Sequence, residues 1–144
     1  MNQNLYRVAA NIPTHIRAEI LRRYPPNLPV VLAKSITWAY RVPDSYWFDV
    51  TEQTITVYGI HRTLRTEALL VQVGDAAFQP LTPTRPLHLT LATAPGVQPV
   101  EAGQLAMTDV AMFNRPFTFT SQLERFPLWQ LERIGKGRGQ RRAA

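Results

Sequence analysis

The chain has 144 residues, of which 45% are hydrophobic, and this length suits one domain built around a single core. It contains no cysteine, which excludes disulfides and thiolate metal sites, and three scattered histidines give no reason to expect a zinc site. The formal net charge is +6, but four basic residues lie in the acid-free tail GKGRGQRRAA, which leaves +2 for the rest.

The first predicted elements are a strand and a helix. Residues 5–10 alternate apolar and polar side chains, as a half-buried strand does. Thr14 is predicted to cap a helix through HIRAEILRRY, because Ile16, Ile20 and Leu21 fall on one helical face. The prolines of YPPNLP end this helix and predict an extended connection.

Four more strands are predicted in the middle of the chain, separated by clusters of Pro, Gly, Asp or Thr. They are rich in β-branched, aromatic and leucine residues and span residues 34–42, 54–60, 67–73 and 86–92. PVEAGQLAM then predicts a short, weak helix, and the alternation in FNRPFTFTSQLERF predicts a last strand. We therefore expect one α+β domain, with a mainly antiparallel sheet and about two helices, over residues 1–134.

The two ends of the chain give further expectations. The tail, residues 135–144, is predicted to be basic and disordered, with a weak nucleic-acid-binding arm as the alternative. No apolar run approaches the roughly 20 residues of a membrane span, and the first residues lack the layout of a secretory signal. A cytoplasmic protein without a membrane partner is expected; the sequence predicts no oligomeric state.

The stretch RPLHLTLATAPGVQP places two polar side chains on one face of an apolar strand. His88 and Thr90 are two residues apart, so they project together, while the flanking leucines project to the other face. An imidazole transfers protons near neutral pH, and a hydroxyl donates hydrogen bonds to phosphoryl oxygens. The pair is a candidate phosphate site; a hydrogen-bonded structural histidine is the alternative.

The same stretch, extended to PLHLTLATAPGVQPVEAGQL, resembles the second signature of the 2H phosphoesterase superfamily. There a His-x-Thr motif between apolar residues is followed, in one subgroup, by a Gly-x-x-Pro-Val turn and a short helix. The resemblance covers roughly residues 30–105 and is most specific at His88, Thr90, Gly96, Pro99 and Val100. The superfamily includes cyclic-nucleotide 2′,3′-phosphodiesterases of RNA repair and phage phosphodiesterases that destroy cyclic oligonucleotide defence signals, which act in the host cytoplasm.

The resemblance implies a second pair upstream, because the superfamily places two such pairs on pseudo-symmetric strands of a bilobal fold, facing one cleft. One candidate, Ser35-Ile36-Thr37, lies 53 residues before His88 and fits this layout. The other, His61-Arg62-Thr63, lies only 27 residues before it and is expected in a hairpin loop over residues 61–66. We therefore take Ser35 and Thr37 as the degenerate first pair and expect His61 to lie outside the cleft.

Serine at position 35 is the departure from the family pattern that matters most. In the family mechanism, which needs no metal or other cofactor, one histidine is the general base, the other is the general acid, and the threonines hold the phosphate. His88 would be the remaining acid or base, with Thr37 and Thr90 on the phosphate and an unfilled space near Ser35. Three alternatives stay open: an impaired enzyme, a binding protein on an enzyme fold, or a form in which a catalytic histidine was replaced to trap a ligand.

Four further residues are candidates for contacts with a cyclic nucleotide or an RNA-end phosphodiester. Lys34 and Arg85 precede the two motif strands and would add positive charge near a phosphate, although strand-end cations are commonly solvated surface residues. Tyr6 and Trp129 are candidates to stack on nucleobases across the cleft mouth, although strand aromatics are mostly core. The competing functions are an RNA-binding module that uses the basic tail and a non-catalytic binding protein with a 2H fold.

Overall fold

The structure, a computed structural model, describes residues 4–105 and 109–129. The predicted basic tail lies outside these residues. The described elements, in chain order, are β1 (Leu5–Asn11), α1 (Thr14–Arg23), β2 (Val30–Val31), β3 (Ser35–Pro43), β4 (Glu52–Arg62), β5 (Thr66–Val73), β6 (Phe78–Gln79), β7 (Thr82–Pro86), β8 (His88–Thr93), a 3₁₀ helix (Pro99–Gly103) and β9 (Ala111–Pro127). No helix in this part of the chain is long and apolar enough to cross a membrane.

The main sheet closes on itself. Its strand order is β2-β8-β3-β1-β9-β4-β5, and β5 also pairs with β8, so six of the strands form a barrel-like ring. All of these pairings are antiparallel, and β6 and β7 make a separate two-stranded ribbon. The fold is therefore α+β with a mainly antiparallel sheet, as the sequence predicts.

The core lies on one face of this curved sheet. Ile36 of β3, Leu89 of β8 and Leu69 of β5 are fully buried there, and α1 adds Ile20. Because side chains alternate along a strand, the residues on either side of Ile36 and Leu89 project to the opposite face. That outer face carries the polar motif residues.

Three local predictions need correction. Among residues 4–105 and 109–129 one complete α-helix forms, and PVEAGQLAM contributes the short 3₁₀ helix Pro99–Gly103 rather than an α-helix. Pro13, not Thr14, is the N-cap of α1; Thr14 is already helical, and no side chain caps the helix. His61 belongs to β4 rather than to a loop, because the hairpin ladder extends to the pairs His61↔Ala68 and Arg62↔Glu67.

Candidate functional site

A cleft of about 550 Å³ lies on the face of the sheet that carries His88 and Thr90, opposite to Leu89 and Ile36. Its size is within the range of small-molecule sites, roughly 300–1,000 Å³. Six of the eight candidate catalytic and binding residues predicted from the sequence line it, namely Lys34, Ser35, Thr37, Arg85, His88 and Thr90. Six others complete the lining, namely Arg7, Leu32, Tyr40, Gln79, Pro99 and Val100.

One strand pairing organises the cleft. β3 and β8 are registered through a single antiparallel pair, Ile36↔Leu89, and on their other edges β3 pairs with β1 and β8 with β5. An antiparallel pair has a local two-fold axis perpendicular to the sheet. About this axis Ser35 is equivalent to His88, and Thr37 to Thr90. The two sequence pairs are therefore related by the local symmetry of the strands that carry them.

Two bulges in β3 decide which other side chain joins the site. Trp38 and Arg41 have no partner in the register with β1, and Arg41 has a positive φ of 60°. Each bulge shifts the alternation by one residue. Tyr40, three residues after Thr37, therefore pairs with Arg7 and lines the cleft together with both.

The ring of His88 is fixed by a hydrogen bond from Nδ1 to Pro86, which leaves Nε2 without this partner. Nδ1 lies 3.1 Å from the carbonyl oxygen of Pro86, which only accepts, so Nδ1 donates and Nε2 of the neutral ring has a free lone pair. Burial lowers the pKa of His88 from its ordinary 6.5; the hydrogen bond to Pro86 opposes this shift and the charge of Arg85 adds to it. The imidazole is therefore neutral at pH 7 and can accept a proton.

Arg7 of β1 connects both residues of the first pair. Its Nε donates to Oγ1 of Thr37 at 3.0 Å, and its Nη2 donates to Oγ of Ser35 at 2.5 Å. Burial lowers the pKa of Arg7 below its ordinary value, while Tyr40 opposes this shift; an arginine nevertheless remains a cation. Because both hydroxyl oxygens accept from Arg7, their own hydrogens are free for an anion. The expectation of an unfilled space beside Ser35 is thus corrected: the guanidinium contacts Ser35 there.

The charge of the lining is one-sided. Arg7, Lys34 and Arg85 are cations, and no aspartate or glutamate is among the described residues that line the cleft. Gln79 completes the wall and donates from Nε2 to the backbone oxygen of Thr37 at 3.4 Å. A cleft of this charge, with two threonine hydroxyls on its floor, suits an anionic ligand.

Tyr6 and Trp129 lie elsewhere. Their rings meet edge to face with centroids 5.1 Å apart, and neither residue lines the cleft. Tyr6 packs against the core that contains Val8, because alternation along β1 places it on the opposite face from Arg7. The expectation that these two aromatics face each other across the cleft mouth is therefore wrong.

The other histidines are also outside the cleft. His61 lines a separate pocket of about 410 Å³ that includes Arg65 and Glu101, and His15 is exposed on α1. Within the described residues, no three His, Asp or Glu side chains gather closely enough to hold a metal ion.

Arg7 is the site residue that the sequence reasoning missed. The sequence signal that could have found it is a single cation inside a strand that is otherwise apolar; the residues that follow it, Val8 and Ala9, are fully buried in the structure. Tyr40 and Gln79 gave no comparable signal, because their places depend on the bulges of β3 and on the β6–β7 ribbon. No protein-family model, curated protein or solved structure matches this chain.

Proposed function

We propose that the cleft binds a nucleotide phosphodiester in the manner of a 2H phosphoesterase, either a 2′,3′-cyclic phosphate or a cyclic oligonucleotide. The observation that carries the proposal is the local symmetry at the Ile36↔Leu89 pair, which relates Ser35 and Thr37 to His88 and Thr90. On this proposal, the closed sheet is a compact form of the bilobal, pseudo-two-fold 2H arrangement.

The binding part of the proposal rests on hydrogen-bond donors and charge. Thr37 and Thr90 lie at equivalent positions on the two sides of the axis, so their hydroxyls can donate to the two non-bridging oxygens of one phosphate. Arg7, which contacts Ser35 and Thr37, Arg85, which lies near His88, and Lys34 supply positive charge in the cleft. No cofactor is needed for this mode of binding.

The chemical part of the proposal rests on His88. Its Nε2 is positioned to take a proton from a water molecule or hydroxyl that attacks phosphorus. Ser35 cannot act as the second proton-transfer group near pH 7, because a serine hydroxyl neither accepts nor releases a proton readily without an adjacent base. Since one acid or base contributes about 10²–10⁴-fold, we propose slow turnover relative to a two-histidine site.

The test is binding and turnover with a panel of 2′,3′-cyclic mononucleotides and cyclic di- and trinucleotides. Wild type should bind at least one class, Thr90→Val should weaken that binding, and His88→Ala should abolish turnover. His15→Ala and Thr118→Val are matched controls, because both residues are exposed and outside the cleft. The proposal fails if no panel member binds, or if Thr90→Val and Thr118→Val bind equally well.

A further inference from the structure

The position that the local two-fold axis relates to His88 is occupied by Ser35 and contacted by a cation. The two-fold axis at Ile36↔Leu89 maps His88 onto Ser35, and Arg7 contacts Ser35 directly. We infer that Arg7 replaces the second proton-transfer group with a fixed cation on the leaving-group side, so that the site favours phosphate esters whose leaving group departs as a stable anion. This inference rests on the proposed function and concerns its turnover: aryl esters or phosphoanhydrides of nucleotides should be hydrolysed faster than the ribose esters of the cyclic nucleotides that the cleft is proposed to bind.

The geometry of phosphoryl transfer places the two groups on opposite sides of the phosphorus atom. The attacking and leaving oxygens are roughly in line. With the phosphate held between Thr37 and Thr90, His88 lies on one side of the axis and Ser35 on the other. His88 therefore faces the entering oxygen, and the guanidinium of Arg7 faces the departing one.

The reaction balances with water as its only co-reactant. The water oxygen forms a bond to phosphorus while Nε2 of His88 takes the water proton. The bond from phosphorus to the leaving oxygen breaks, and its electron pair stays on that oxygen beside the guanidinium. His88 then releases its proton to solvent. Arg7 stabilises the developing negative charge and donates no proton, because a guanidinium keeps its proton near neutral pH.

The charge of Arg7 supports an anionic occupant independently of symmetry. The residue is half-buried, and no carboxylate of residues 4–105 and 109–129 forms an ion pair with it. Its side chain is fixed by two hydroxyls, both at the cleft. A half-buried cation without a carboxylate partner pays a desolvation cost that an anion in the cleft would offset.

The experiment measures kcat and KM for a series of aryl esters of thymidine 5′-monophosphate, from 4-nitrophenyl to phenyl. Wild type should hydrolyse the nitrophenyl ester and lose rate steeply as the phenol becomes less acidic. Arg7→Gln should lower kcat about 10²–10³-fold, the usual loss when one donor to a developing anion is removed. Arg7→Lys should retain part of kcat, and the exposed Arg115→Gln should match wild type.

A double variant, Arg7→Gln with Ser35→His, checks the mechanism from the other side. The new histidine can protonate the leaving oxygen, so the dependence of rate on phenol acidity should become shallow. A shallow dependence in wild type, a rise in KM alone for Arg7→Gln, or no hydrolysis of any ester would overturn the inference. Binding of cyclic nucleotides that still depends on Thr90 would show that the proposed function survives such a failure.

Discussion

Replacing Gly103 by alanine should disturb His88 without touching the cleft floor. Gly103 ends the 3₁₀ helix, and a Cβ built on it would lie 3.0 Å from Cε1 of His88 and 3.4 Å from Nε of Arg85. This is closer than the about 3.5–4.0 Å at which carbon atoms pack best, so the ring would have to move by a few tenths of an ångström. The backbone is not the obstacle, because Gly103 does not have a positive φ.

The substitution should affect both function and stability. Moving the buried imidazole strains its hydrogen bond to Pro86; because a displacement of about 1 Å can cost about 10²-fold in rate, a shift of a few tenths of an ångström should lower kcat/KM by up to about 10-fold. Overpacking costs about 1–3 kcal/mol, and the lower chain entropy of alanine offsets about 0.4–1 kcal/mol of it. Most of the protein should therefore stay folded.

The assay combines nucleotide-ester hydrolysis, urea unfolding and NMR of the imidazole signals, with Gly103→Ala made in wild type and in His88→Ala. In the second background the added methyl group has room, so its cost in unfolding free energy should largely disappear. Equal costs in the two backgrounds, or an unchanged His88 signal and unchanged turnover in Gly103→Ala, would refute the reasoning.

Two other outcomes follow from buried charges. Because burial lowers the pKa of His88 below 6.5, kcat/KM should rise with pH to a plateau, with its midpoint below 6.5. The free energy of unfolding should decrease as pH falls from 6.5 through the folded pKa, because the unfolded chain then binds the proton more readily. Measurements of both against pH on wild type and His88→Ala test this, and a midpoint above 6.5 would contradict it. Glu67 is 1% exposed, accepts hydrogen bonds from the backbone nitrogens of Asn27 and Leu28, and forms an ion pair with Arg62. Glu67→Ala should therefore lower the free energy of unfolding in urea by about 3–5 kcal/mol, whereas the exposed Glu124→Ala should change it little. Equal losses in the two variants would show that the buried Glu67 contacts do not stabilise the fold.

The strands that carry the motifs were predictable because their signals are local. Alternation in residues 86–92 anticipated β8, although Pro86 ends β7, Leu87 donates to Ala77, and β8 itself begins at His88. The pair Ser35 and Thr37 was found through a resemblance and a spacing. The alternation depends only on residues close together in the chain, whereas the choice of Ser35 over His61 depended on a separation of 53 residues from His88.

Arg7 and Tyr40 were not predictable because their places depend on register. Alternation in β1 shows that Arg7 and Val8 face opposite ways, but not which strand lies beside them. That β3 is the neighbour, with bulges at Trp38 and Arg41, is a property of the closed sheet. The placement of Tyr6 failed for the same reason.

The ring of strands is joined unevenly, and the cleft lies over its most irregular joint. β4 and β9 pair from Glu52 to Ile60, whereas the joint to β8 combines the single β3 pair Ile36↔Leu89 with hydrogen bonds from Leu32 and Ala33 and the short strand β2. Local opening starts where few contacts hold the backbone. A ligand that binds only the closed form adds stability by mass action, about 2.7 kcal/mol at 100 times its dissociation constant. An anion bound by both Thr37 and Thr90 would therefore hold β3 and β8 together, so that binding in the cleft and closure of the sheet are thermodynamically linked.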